Sequence, residues 1–172
     1  YKRQQDYEPI FYPNNSASAL ARSTYQSGDK TTAIINSEEL YNFLINRFEF
    51  SNSYYVPFEL NENLKKELIN QVDYSKRENI IICYGRPSTP RNCFDLIKKG
   101  LISWQEVDDQ NHINLWKIYF VGEKFDRKLI NGIRNAEILN KLSLKKYAEL
   151  MKKSSIGISL MESPHPSYPP IE

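Results

Sequence analysis

The sequence is poor in residues that bind metals or cross-link chains. It holds two cysteines and two histidines in 172 residues. Cys83, Cys93, His112 and His165 share no ligand spacing, so neither a zinc site nor a disulfide framework is expected. A reducing compartment fits that usage. Glycine is scarce too, with six residues, and no stretch carries the glycines of a dinucleotide fingerprint or a Walker A loop. The net charge is only +2. With no long basic block, no nucleic-acid partner is expected. The apolar runs are too short to span a bilayer. The polar start, YKRQQDYEP, lacks an initiator methionine and an apolar leader. The chain is therefore expected to be a fragment of a cytoplasmic protein.

What is present is regular alternation. From Asn79 onward, strands Ile80–Tyr84, Leu115–Val121, Ala136–Leu139 and Ile156–Met161 are predicted. Helices run from Pro90 to Lys99, stopped by Gly100, and from Leu144, capped by Ser143 with Leu142 stapled onto Tyr147. Repeated β-α-β units imply an α/β fold, a Rossmann-like parallel sheet flanked by helices. Its strand ends should bring Gly85, Gly122 and Ser163 to one edge. Upstream the pattern is weaker. Residues 1–13 read as irregular, and Ser16 caps a helix reaching about Gln26. Thr31–Ile35 is an isolated strand, and Ser37 caps a helix with Leu40, Phe43, Leu44 and Phe48 on one face. Tyr54–Pro57 is an extended connection, and Leu60–Val72 is helical. The 40–48 face is expected to be less buried than the later core.

The richest stretch is NIIICYGRPSTPRN, residues 79–92. Four apolar residues without alternation read as a strand buried on both faces. Gly85 ends it, and Thr89 and Pro90 open the next helix. Arg86 and Arg91 then lie at an electropositive helix start, at the sheet edge where open α/β sheets bind ligands. An anion such as phosphate would relieve their repulsion. The alternative is solvation or pairing with a carboxylate, for which Asp95 is available. At the other end, Pro169-Pro170 begin a helix with Glu172 in its first turn. There Glu172 either caps the helix or accepts hydrogen bonds from ligand hydroxyls. His165 is a structural contact or a ligand contact. Glu123 is solvated or faces a ligand. Tyr7 and Tyr12 line a cleft or fill a core.

The order GRPSTPR, IYFVGE, LSLKKYAEL, SIGISLM and SPHPSYPPIE resembles retaining two-domain GT-B glycosyltransferases. The likeness is strongest to bacterial rhamnosyltransferase-like enzymes of surface polysaccharide synthesis. It covers most of 79–172 and, more weakly, 5–13 and 34–40. The resemblance implies that Gly85 and Arg86 begin the diphosphate site, with Arg91 where the family has a lysine. It assigns the backbone of Leu139, Asn140 and Lys141 to the nucleobase and Glu172 to the ribose. The family's earlier glutamate falls on Pro164, leaving Ser163 and His165 to contact the donor.

By the same resemblance, residues 1–56 close an acceptor-side domain and 57–172 are a donor-binding domain, truncated at its C-terminal end. The donor would be a nucleoside-diphosphate sugar, used without a metal or other cofactor. The acceptor would be a glycan or lipid-linked glycan. The whole protein would sit at the inner membrane face. A GT-B nucleotide-sugar epimerase and a non-catalytic flavodoxin-like binding domain remain open alternatives.

Overall fold

The computed structural model describes residues 2–4, 6–69, 73–108, 112–165 and 167–171. The chain forms two compact units. One comprises Tyr1–Glu59 with Met161–Pro166, and the other comprises Leu60–Leu160 with Ser167–Glu172.

The first unit holds a three-stranded parallel sheet of β1 (Lys2–Gln4), β2 (Thr32–Ile35) and β3 (Asn52–Tyr55), in that order. Thus β2 is not isolated, and the expected 54–57 connection begins as a strand. Helix α1 (Ser16–Ser23) is capped by Asn15, not Ser16; the Asn15 carboxamide oxygen accepts from the N–H groups of Ala17 and Ser18. Helix α2 (Glu38–Ile45) is capped by Ser37, whose hydroxyl accepts from Leu40 N–H at 3.2 Å. On its apolar face Leu40 and Leu44 are fully buried, because Tyr7 and Tyr25 close over them with Ala33 and Ile35, whereas Phe43 and Phe48 are only partly buried. The expected weaker burial of this face thus fails at two of its four positions.

The second unit holds a four-stranded parallel sheet built from β4 (Glu78–Gly85), β5 (Lys117–Gly122), β6 (Ala136–Asn140) and β7 (Ser154–Ile158). The order is β6-β5-β4-β7, all parallel. This is a Rossmann-like arrangement. The chain steps outward from β4 through β5 to β6, then returns to the other side of β4. Ligands of open α/β sheets bind at such a reversal, at the carboxyl ends of the flanking strands.

Strand β4 is buried on both faces, as its unbroken apolar run predicts. Ile81 and Cys83 pack with Phe94, Ile97 and Leu101 of α4 (Phe94–Val107). Ile80 and Ile82 pack with Tyr147, Leu150 and Met151 of α5 (Leu144–Lys153). Ser143 caps α5 by accepting from Lys146 N–H, and Leu142 and Tyr147 join the same cluster. Helix α3 (Glu62–Ile69) is shorter than expected, and residues 70–72 lie outside the described residues.

Several boundaries differ for local reasons. Pro90–Asn92 form a 3-10 turn, and Cys93 adopts a left-handed φ of 51°, so α4 starts only at Phe94. Gly100 does not stop α4, because Leu101, Trp104 and Gln105 continue its buried stripe. Strand β5 starts at Lys117, since His112–Leu115 form a 3-10 turn. Strand β7 starts at Ser154, directly after α5, and 159–161 leave the sheet.

Candidate functional site

The candidate site grows from one register pair. Gly85 at the end of β4 stands opposite Gly122 at the end of β5. Both positions need glycine, for different reasons. A Cβ on Gly85 would lie 2.8 Å from Phe120 Cδ1, inside the core. Gly122 has φ +121°, which favours glycine, and a Cβ there would sit 3.2 Å from Arg86 Cγ. The missing side chain at 122 therefore leaves room for the arginine's stem.

Arg86 begins a tight turn closed by Thr89 N–H donating to Arg86 C=O at 2.9 Å. Glu123, next after Gly122, reaches across to this turn. One carboxylate oxygen accepts from Ser88 N–H at 2.9 Å and the other from the Ser88 hydroxyl at 2.6 Å. Arg86 Nε lies 3.8 Å from the second oxygen, an ion pair beyond hydrogen-bond length. Burial resists ionisation of Glu123. The two Ser88 bonds and the Arg86 charge outweigh it, so the carboxyl titrates below its ordinary range. Arg86 thus has a carboxylate neighbour, but it is Glu123 and not Asp95.

Arg91 is half-buried in the 3-10 turn that follows, on the same connection between β4 and α4. Thr89 makes no side-chain cap there. Leu139 and Asn140 end β6, with Lys141 next. Because all four strands are parallel, these residues share the carboxyl edge of the sheet with Gly85 and Gly122.

Ser163 and His165 fold with the first unit. The Ser163 hydroxyl donates to the Asp6 carboxylate and accepts from His165 N–H, the latter at 3.0 Å. His165 is buried, and burial disfavours its charged form more than Asp6 and Glu39 favour it, so its pKa falls below the usual range. Tyr7 belongs to the first unit's core, packing 5.2 Å from Tyr25 between ring centroids, whereas Tyr12 is exposed. Glu172 lies outside the described residues.

The residues that single-chain reading undervalued are Ser88 and Glu123. A glutamate directly after a strand-ending glycine was the signal available. Its partner lies 35 residues away, and only the pairing of β4 with β5 brings them together. A separate cleft of about 570 Å³ runs along the open edge of β7, lined by Tyr84, Tyr147, Met151, Ser159 and Pro169 among others. Neither Arg86 nor Arg91 lines it. Among the described residues, no group of three or more His, Cys, Asp or Glu could hold a metal ion. No helix among them is long and apolar enough to cross a membrane.

Two comparisons bear on these residues. Over 170 residues the chain is 26% identical to the O-antigen biosynthesis protein RfbC of Myxococcus xanthus. That match takes in 98% of the chain but only 12% of the relative's length. Residues 79–172, which take in the second sheet from the second residue of β4 onward, match the family described as WsaF, C-terminal domain. The match covers more than half of the sequence, and the chain belongs to the WsaF C-terminal domain family.

Proposed function

We propose that the second unit binds the nucleoside-diphosphate sugar of a glycosyltransferase acting in surface polysaccharide synthesis. The observation that carries this reading is Arg86. Its guanidinium sits at the carboxyl end of a buried parallel strand, beside the reversal of strand order. Among the described residues its ionic neighbour is Glu123, which meets it on the Nε side of the guanidinium. The match to an O-antigen biosynthesis protein supports the polysaccharide setting.

Glycosyl transfer builds negative charge on the departing diphosphate. A fixed guanidinium stabilises that charge more in the transition state than in the ground state, which is how it would accelerate transfer. Arg86 and Arg91 take this role, following the strand end at Gly85. The ends of β6, Leu139 to Lys141, would lie against the base. Glu172 would hold the ribose. Residues 1–56 would be part of the acceptor-side domain of a retaining GT-B enzyme. A rhamnosyl donor and a glycan or lipid-linked glycan acceptor, reached from the cytoplasmic membrane face, complete the reading.

The test is a transfer and donor-hydrolysis assay on the whole protein, with binding isotherms for nucleoside diphosphates. Arg86→Ala and Arg91→Ala should each weaken binding by about 1.5–3 kcal/mol, the range for a hydrogen bond to a charged group. Transfer should fall at least as far, and Arg91→Lys should be milder. Unchanged affinity and rate in both alanine variants would return the arginines to ordinary surface charges.

A further inference from the structure

We propose that Glu123 is a positioning residue for the diphosphate site: it acts through Ser88 and Arg86 to hold the 86–89 turn in its binding geometry. The inference rests on the diphosphate reading of Arg86. Its basis is the way the end of β5, and Glu123 just after it, meet the turn. Gly122 leaves space against the Arg86 stem, where a Cβ would come within 3.2 Å of Cγ. Each Glu123 oxygen takes one Ser88 hydrogen bond, at 2.9 and 2.6 Å. The second oxygen also sets the Nε side of Arg86 at 3.8 Å.

This is not how a solvated glutamate behaves. The Glu123 side chain keeps only 19% of its exposure, against 40% for Arg86. Nor is it a closed ion pair that cancels the arginine. A bidentate carboxylate would occupy the guanidinium fork at hydrogen-bond length. Here the carboxylate is spent on Ser88 and touches only one side of the fork. A long arginine side chain otherwise loses rotamer entropy when it binds an anion. Holding it beforehand lowers that cost, the general benefit of a preorganised site.

The experiment titrates the chain with inorganic pyrophosphate by calorimetry. Wild type is compared with Arg86→Ala, Glu123→Ala, Glu123→Gln, Ser88→Ala and the double variant Arg86→Ala/Glu123→Ala. Melting temperatures are measured alongside. Glu123→Ala should weaken binding about tenfold, since misplacement of a binding group by a fraction of its length is costly. Glu123→Gln keeps one carbonyl acceptor and should lose less, and Ser88→Ala should lose about threefold, because the backbone N–H bond to Glu123 remains and only the hydroxyl bond goes. In the Arg86→Ala background, Glu123→Ala should change nothing further, because residues acting through one another are not additive. A role in folding alone would shift the melting temperature yet leave the two losses additive, and that result overturns the proposal. Tighter pyrophosphate binding in either Glu123 variant also overturns it, making the carboxylate a competitor of the ligand. If Arg86→Ala itself has no effect, or wild type binds no pyrophosphate, the diphosphate reading and this inference fall together. Should Glu123→Ala not fold, Glu123→Gln and Ser88→Ala carry the same test.

Discussion

The two units solve the same packing problem with different residues. The first has strands of three or four residues and fills its core with aromatic rings. Tyr7 lies 5.0 Å from Phe43 and 5.9 Å from Phe48, and Tyr25 lies 5.3 Å from Phe48. Short strands pair few backbone groups, so a few large side chains must supply the buried area. The second unit has strands of up to eight residues, and its fully buried side chains are mostly β-branched and aliphatic on both faces, with aromatic rings packed around them. There the aromatic cluster is local. Phe94, Phe120 and Phe125 pack edge to face or tilted, with centroids 5.2–6.0 Å apart, beneath the candidate site. A sheet that is long enough carries its own pattern, whereas a short one depends on what is laid over it.

The strongest way to break this comparison is Phe120→Ala. Phe120 is fully buried and fills the space opened by Gly85. Its truncation should cost about 3–5 kcal/mol, as for other buried phenylalanines. Hydrogen exchange should then rise across the second sheet while peptides from 32–55 keep their protection. Equal loss in both units would show that the cores are not independent.

A smaller effect separates the first unit. The buried Tyr25 hydroxyl donates to Asp6 C=O at 3.2 Å and accepts from Glu8 N–H at 3.4 Å. Tyr25→Phe should cost about 1–2 kcal/mol, since two backbone groups lose their partner. Burial, the largest cause, pushes the Tyr25 phenol up to about 12. A raised pKa means that the folded state favours the neutral form. That stabilisation is whole below the ordinary tyrosine range near 10 and is lost as pH rises from there toward 12. Absorbance titration should show one late phenol that vanishes in Tyr25→Phe; a titration identical to wild type would contradict the burial.

The smallest effect compares two helix caps. Ser37 caps α2 from a buried position, while Ser143 caps α5 from an exposed one. Either serine changed to alanine should lose about 0.5–2 kcal/mol, with Ser37 toward the upper end because its freed N–H is shielded from water. Chemical denaturation of the two variants checks the order.

The differences between reading and structure follow the same division. The buried run of β4, the cap of α5 and the parallel order were legible, because each is written in neighbouring residues. Strands β1 and β3 were not. Asn52–Tyr55 offers no apolar alternation, and mostly exposed side chains left nothing for the pattern to report. It is a strand because β2 pairs with it. Cys93's left-handed backbone, which delays α4, has no composition signal either, since glycine is the usual residue there.

The amino-acid sequence alone determined where Arg86 and Arg91 fall, just past a strand that no solvent-facing pattern interrupts. It also determined that Gly85 and Gly122 each close a strand. Only tertiary structure decided that those glycines would be in register, and hence that Glu123 would meet Ser88 across 35 residues of chain. It likewise decided that Ser163 and His165 would fold with Asp6, far back in the first unit. The physical reason is common to all of these. Hydrophobic period and capping are local and can be read along the chain. A hydrogen bond between distant residues exists only once sheet pairing has fixed which strand ends lie side by side.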